Sequence, residues 1–226
     1  MRFVDLSHTM EDGMPGFKLK NDDGTITQFT ARVHPFLTHD QSRPHYQGKA
    51  EFEITEVSFQ SSVGTYIDSP YHRHRAMRDI SQIALEEVIL PGVVIDVRGH
   101  NAFEAVSLPG AYQSLDLAGE AVLFNFGWDQ HWGTDAYFEY PFLSRDALQA
   151  LIRAGVKLVG VDTINVDDSH DPERPAHTWL LAREIFIVEN LRGLDQLHGQ
   201  AFTFFAVPLK VKRAAAMPLR AFAQIE

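Results

Sequence analysis

The sequence predicts a mixed α/β (α+β) domain built around a mixed sheet or barrel-like core. Three observations lead there. Short apolar runs recur along the chain, at Val93–Val97, Ala121–Phe126, Val156–Val161, Ile185–Val188 and Phe202–Val207. Each is bounded by Gly, Pro or polar residues, as buried strands are. Between them lies a segment with a helical face and marked ends: Ser144 as N-cap, Leu148, Leu151 and Ile152 on one side, and Gly155 as the stop. No Pro/Ser/Gly linker or charge block divides the 226 residues, which predicts a single domain over residues 1–226.

In chain order, Arg2–Leu6 reads as a strand and lacks the long apolar core of a signal peptide. Glu11–Gly16 is rich in turn residues, and Asn21–Gly24 is a turn between short strands. The segment from residue 34 to 45, with His34, His39 and His45, reads as a long surface loop and hence as a lid or dimer contact. Phe52–Phe59 alternates apolar and polar residues and reads as a strand. Asp79 is placed to cap a short helical turn, and Pro91-Gly92 to break the chain before the strand at Val93. Asn165–Arg174 is a polar loop, and Pro175 opens a helix that carries His177.

Composition narrows the chemistry. The formal net charge is −10, which disfavours nucleic-acid phosphates as partners. Cys is absent, so the chain has no disulfide and no thiol nucleophile, and any metal site must use His and carboxylates. This is compatible with a cytoplasmic location. No apolar run reaches the roughly eighteen residues of a membrane span.

The densest concentration of chemistry is Ser62-Val63-Gly64-Thr65-Tyr66-Ile67-Asp68-Ser69-Pro70-Tyr71-His72-Arg73-His74. Gly64 permits a tight turn or a close approach, and Pro70 holds Ser69 extended. Asp68 and His72 then stand where a strand gives way to a loop. Glu189 ends the Ile185–Val188 run, and His177 lies on the helix after the polar loop. A carboxylate directly after a buried strand is costly unless it is paired or metal-bound. Each residue alone has an ordinary structural alternative. Asp68 can cap a turn, His177 can be a bonded core histidine, and Glu189 can pair with Arg192. Trp128 and Trp132 can line an apolar pocket or simply fill core.

Taken together, the blocks resemble the cyclase-like family of metal-dependent hydrolases, which includes bacterial kynurenine formamidases and isatin hydrolases. Val4–His8 looks like the family's opening. Gly64-Thr65, Asp68, Pro70 and His72 match its His-X-Gly-Thr-His-X-Asp-X-Pro-X-His signature. Phe126–Trp128, Gly160–Thr163, His177–Leu181 and Ile187–Leu191 are similar to its later blocks, in the same order. The resemblance implies a swivelling β/β/α fold, a homodimer or homotetramer, and one or two divalent ions that open a small amide or lactam. It implies Asp68, His177 and Glu189 as metal ligands and His72 as general acid/base. Its formamidase branch implies a place in tryptophan catabolism.

The chain departs from the signature at two histidines, replaced by Ser62 and Tyr66. Hydroxyls are poor zinc ligands unless deprotonated. The expectation is therefore one divalent ion, zinc or manganese, or a site that has lost its ion. Tyr66 can instead donate a hydrogen bond to a carbonyl or developing oxyanion, and Trp128 is the second candidate substrate contact. The leading function is hydrolysis of a C–N bond in a small amide, formamide or lactam. The alternatives are a cyclase or dehydratase step in the same pocket and a non-catalytic ligand-binding relative.

Overall fold

A computed structural model of the chain describes residues 1–112 and 115–225. The chain divides into two compact units, Met1–His8 with Thr65–Glu226, and Thr9–Gly64.

The larger unit is built on a nine-stranded mixed sheet. Its parallel centre is β6 (Ile89–Asp96), β8 (Ala121–Asn125), β10 (Leu158–Val161) and β11 (Phe186–Glu189), hydrogen-bonded in that order. These are the continuous apolar runs of the sequence, and parallel strands read that way because both faces are covered. Helix α2 (Arg145–Ala154) connects β8 to β10, and helix α3 (Pro175–Leu181) connects β10 to β11. Between sheet and helices lies the main core, with Phe124, Leu148, Leu151, Val159, Leu180 and Ile187 essentially inaccessible. Ser144 caps α2 by accepting from Ala147 N, and Gly155 ends it in the left-handed region at φ 74°, both as expected.

Antiparallel strands flank this centre. On one side β12 (Phe202–Phe205) pairs with β6, followed by β14 (Phe222–Ile225) and β1 (Arg2–Asp5). On the other, β5 (Tyr66–Asp68) lies between β11 and β13 (Ala216–Pro218). A further parallel pair is formed by β7 (Ala105–Val106) and β9 (Phe142–Leu143). Asp79 caps the short turn Ile80–Gln82 as expected. The break expected at Pro91-Gly92 does not occur, because β6 runs through both residues. On the β8 side, pairing begins only at Gly92, so Pro91 has no ladder partner there to lose. Gly92 is needed because the Phe202 ring fills the space of a side chain, 2.4 Å from where a Cβ would sit.

The smaller unit is a three-stranded antiparallel sheet of β2 (Pro15–Lys20), β3 (Ile26–Leu37) and β4 (Ile54–Phe59). It corrects the surface-loop reading of residues 34–45. His34 lies inside the twelve-residue strand β3, which Pro35 does not end because a bulge sits there. Thr38 and Gln41 form a capping box for the short helix α1 (His39–Ser42), and His45 falls in a 3-10 turn. The alternation of Phe52–Phe59 also misleads. β4 is a strand, but five of its six residues are exposed within the chain.

Candidate functional site

The carboxyl ends of parallel strands are where open α/β sheets gather ligands, and the candidate residues cluster there. Glu189 is the last residue of β11 and is fully buried. Beside it runs β5, with Tyr66 opposite Glu189 and Asp68 opposite Ile187. Residues opposite one another, and alternate residues along a strand, share a face. Tyr66, Asp68 and Glu189 therefore project from one side of the sheet. Helix α3 brings His177 to this group. Its Nε2 is 3.5 Å from Asp68 Oδ2 and 3.6 Å from Glu189 Oε1. His72, in the 3-10 turn that Pro70 opens, has Nδ1 3.5 Å from Asp68 Oδ1 and a side chain about one-third exposed. Its ring centroid is 5.6 Å from that of His177.

The four residues expected to carry the chemistry are thus brought together. Tyr66 is placed differently from expectation. Its hydroxyl donates to Glu189 Oε2 instead of standing free for a substrate. Glu189 Oε1 accepts from Val166 N at 2.8 Å, so its bonds go to Tyr66 and the backbone, not to Arg192 as in the ordinary structural alternative. Burial and the nearby Glu189 and Asp68 charges keep the Tyr66 phenol well above its ordinary pKa, so it stays a donor. Burial also raises Glu189, against the attraction of His177. Burial alone pushes His177 down. The hydrogen bond to Asp167 and the nearby Asp68 and Glu189 carboxylates outweigh it and lift the imidazole to about 10.

Asp68 is the telling group. Its side chain is fully buried, and among the described residues neither carboxylate oxygen makes a hydrogen bond, each standing 3.5 Å from an imidazole nitrogen. Such a carboxylate is expensive unless a cation or proton sits on it. Donor atoms of Asp68, His72 and His177 lie within 4.8 Å of one another, close enough to share one ion. One carboxylate oxygen and two imidazole nitrogens are a donor set that zinc and manganese accept.

Trp128 is half-buried, packs with Tyr137, Tyr140 and Ile164, and has a buried Nε1 without a partner. Its backbone N–H, with those of Phe126 and Gly127, donates to Asp162 at 2.8–3.1 Å. Asp162, delivered by β10 as expected, thus holds the loop after β8 in place. Burial lifts its pKa to about 7 against those three bonds. Sequence reading missed two residues. His8 stacks on Trp132 with ring centroids 3.7 Å apart, and its buried Nε2 has no partner. Asp167 is fully buried behind His177. A usable signal for Asp167 was an acidic residue in the polar loop just ahead of the helix that Pro175 opens.

The family model Cyclase, described as "Putative cyclase", matches residues 4–168. The chain belongs to the cyclase family. It is 29% identical to the kynurenine formamidase of Bacillus cytotoxicus over 170 residues, covering 74% of this chain and 78% of that one. With the kynurenine formamidase of Salinibacter ruber it shares 30% identity over 180 residues, covering 77% and 81%. Among solved structures, isatin hydrolase A from Ralstonia solanacearum superposes with a TM-score of 0.87 at 26% identity, over 100% of this chain and 92% of that one. The cyclase-like α/β fold implied by the sequence is therefore the observed one. A structure titled a potential metal-dependent hydrolase with cyclase activity shares the fold at TM-score 0.74 and 21% identity.

Proposed function

We propose that this cyclase-family protein is a metal-dependent hydrolase that opens the C–N bond of a small amide, formamide or lactam. The observation that carries this reading is Asp68, a buried carboxylate whose oxygens make no hydrogen bond among the described residues and stand 3.5 Å from two imidazole nitrogens. The kinship with kynurenine formamidases and an isatin hydrolase supports an aryl amide or lactam as the substrate class.

The residues present fit one divalent ion. Asp68 and His177 would be its central donors, and Glu189, whose Oε1 is 3.6 Å from the same His177 nitrogen, would be the third. When bound, such an ion supplies a Lewis acid and brings the pKa of water to about 7. Tyr66 holds Glu189 by donating to its second oxygen, which leaves Oε1 facing His177. His72 stands at the open side of the group, where one-third of its side chain meets solvent. From there it takes a proton from attacking water and returns it to the leaving nitrogen. Trp128, partly exposed and backed by the buried Tyr137 and Tyr140, would give a flat substrate an apolar face to pack on.

A second reading is favoured by one distance. His72 lies within the 4.8 Å group, so it can act as the third donor in place of Glu189. One variant separates the two. Under the proton-transfer role, His72→Asn keeps its ion and loses about a hundredfold or more in kcat on an N-formyl aryl amine. If the variant retained wild-type turnover, the role would be wrong. If it lost the ion as well, His72 would be a donor.

A further inference from the structure

Asp167 lies in the loop after β10, ten positions before His177, and its side chain is fully buried. Its Oδ2 is 2.7 Å from His177 Nδ1 and also accepts from His177 N at 3.1 Å. Its Oδ1 accepts from Ala176 N at 2.6 Å. The loop is tied in turn to the start of α3. Asn165 Oδ1 accepts from Asp167 N at 2.9 Å and from Arg174 Nη2 at 2.8 Å. Arg174 Nε stands 3.5 Å from Asp167 Oδ2. The carboxylate cannot turn away without giving up several of these bonds at once.

An ionised carboxylate only accepts, so the imidazole nitrogen facing it must carry the hydrogen. In its neutral form, a ring that donates through Nδ1 has its Nε2 lone pair on the other side, the side facing Asp68 and Glu189.

We propose that Asp167 is a positioning residue that fixes the His177 ring and commits its Nε2 to the Asp68–Glu189 side. The proposal rests on the reading that this group holds a divalent ion. Carboxylates that orient a ligating imidazole in this way typically contribute 10- to 100-fold to metal affinity. A role confined to capping α3 would use only the two backbone contacts. The 2.7 Å bond to the ring is what the proposal adds.

The test uses the full chain, stripped with chelator, in two measurements. In ion-free protein carrying 15N-labelled histidine, the Nδ1–H of His177, assigned by its absence in His177→Gln, is expected as a slowly exchanging signal. It should vanish in Asp167→Ala. Titration with Mn2+ by calorimetry is expected to show about 10- to 100-fold weaker binding in Asp167→Ala than in wild type. If Asp167→Ala does not fold, Asp167→Asn keeps the volume and one acceptor, and a several-fold loss is expected. Wild-type affinity in the variant, or a retained Nδ1–H signal, would overturn the proposal. Should wild-type protein take up no Mn2+, the ion reading fails, and the imidazole signal still decides whether Asp167 holds the ring.

Discussion

At the scale of single residues, charge and burial conflict in several places, and the neighbours decide the outcome. His8 is a clear case. Burial, with a contribution from the Arg192 charge, lowers its pKa to about 4, so the folded chain keeps it neutral. Once unfolded it titrates near its ordinary 6.5. Between those values the unfolded chain binds more protons, so stability rises with pH there. The contribution is complete above pH 6.5 and is lost as pH falls toward 4. His8→Phe keeps a ring to stack on Trp132 but cannot titrate. Thermal melts at a series of pH values should show a smaller drop between pH 7 and pH 4 in the variant. Equal drops would mean that His8 is already protonated, or exposed, in the native state.

The same scale explains what sequence reading could and could not find. Asp68, His72, His177 and Glu189 were visible because each stands at the end of an apolar run or beside a Pro or Gly, and because they match a family pattern. The bond from Tyr66 to Glu189 was not visible. It joins residues 123 positions apart and depends on the register of β5 against β11, which no local pattern states. Asp167 was hidden because an acidic residue in a polar loop looks like any solvated one until the loop is folded under a helix.

At the scale of elements, legibility followed length and burial. The parallel strands β6, β8, β10 and β11 and the helix α2 were readable, since continuous apolar runs and paired caps are strong signals. β5 was not, because three residues cannot show a period. β3 was legible only in its first part, after the Asn21–Gly24 turn. Its later residues, from His34 on, contain Pro35 and are mostly exposed, which removes the apolar alternation that marks a strand.

Element packing also yields a prediction. Gly160 lies mid-strand in β10, where an added Cβ would come within 2.5 Å of Leu123 Cδ2 and 2.7 Å of Leu191 Cδ1. Both leucines are fully buried and have no room to withdraw. Gly160→Ala should therefore destabilise by about 1–3 kcal/mol through overpacking, measured by urea unfolding at constant m-value. An unchanged midpoint would show that the leucines repack freely.

At the scale of the whole molecule, the sheet is what makes a site from scattered residues. β11 and β5 supply Glu189 and Asp68, the turn after β5 supplies His72, and the crossover helix between β10 and β11 supplies His177. Three buried carboxylates, at positions 68, 167 and 189, then face the imidazoles of His72 and His177 and the guanidinium of Arg174. A divalent ion on Asp68 and Glu189 would lower the cost of holding these carboxylates in a low-dielectric interior. A cation held only by the folded chain would also stabilise it, by roughly 2.7 kcal/mol at a hundred times its dissociation constant.

The most direct test is calorimetric titration of chelator-stripped protein with Zn2+ and Mn2+, wild type beside Asp68→Asn. The account predicts about one ion per wild-type chain and a loss of binding in the variant, whose amide no longer offers a charge. A wild-type chain that binds neither ion, or an Asp68→Asn chain that binds as tightly as wild type, would contradict it.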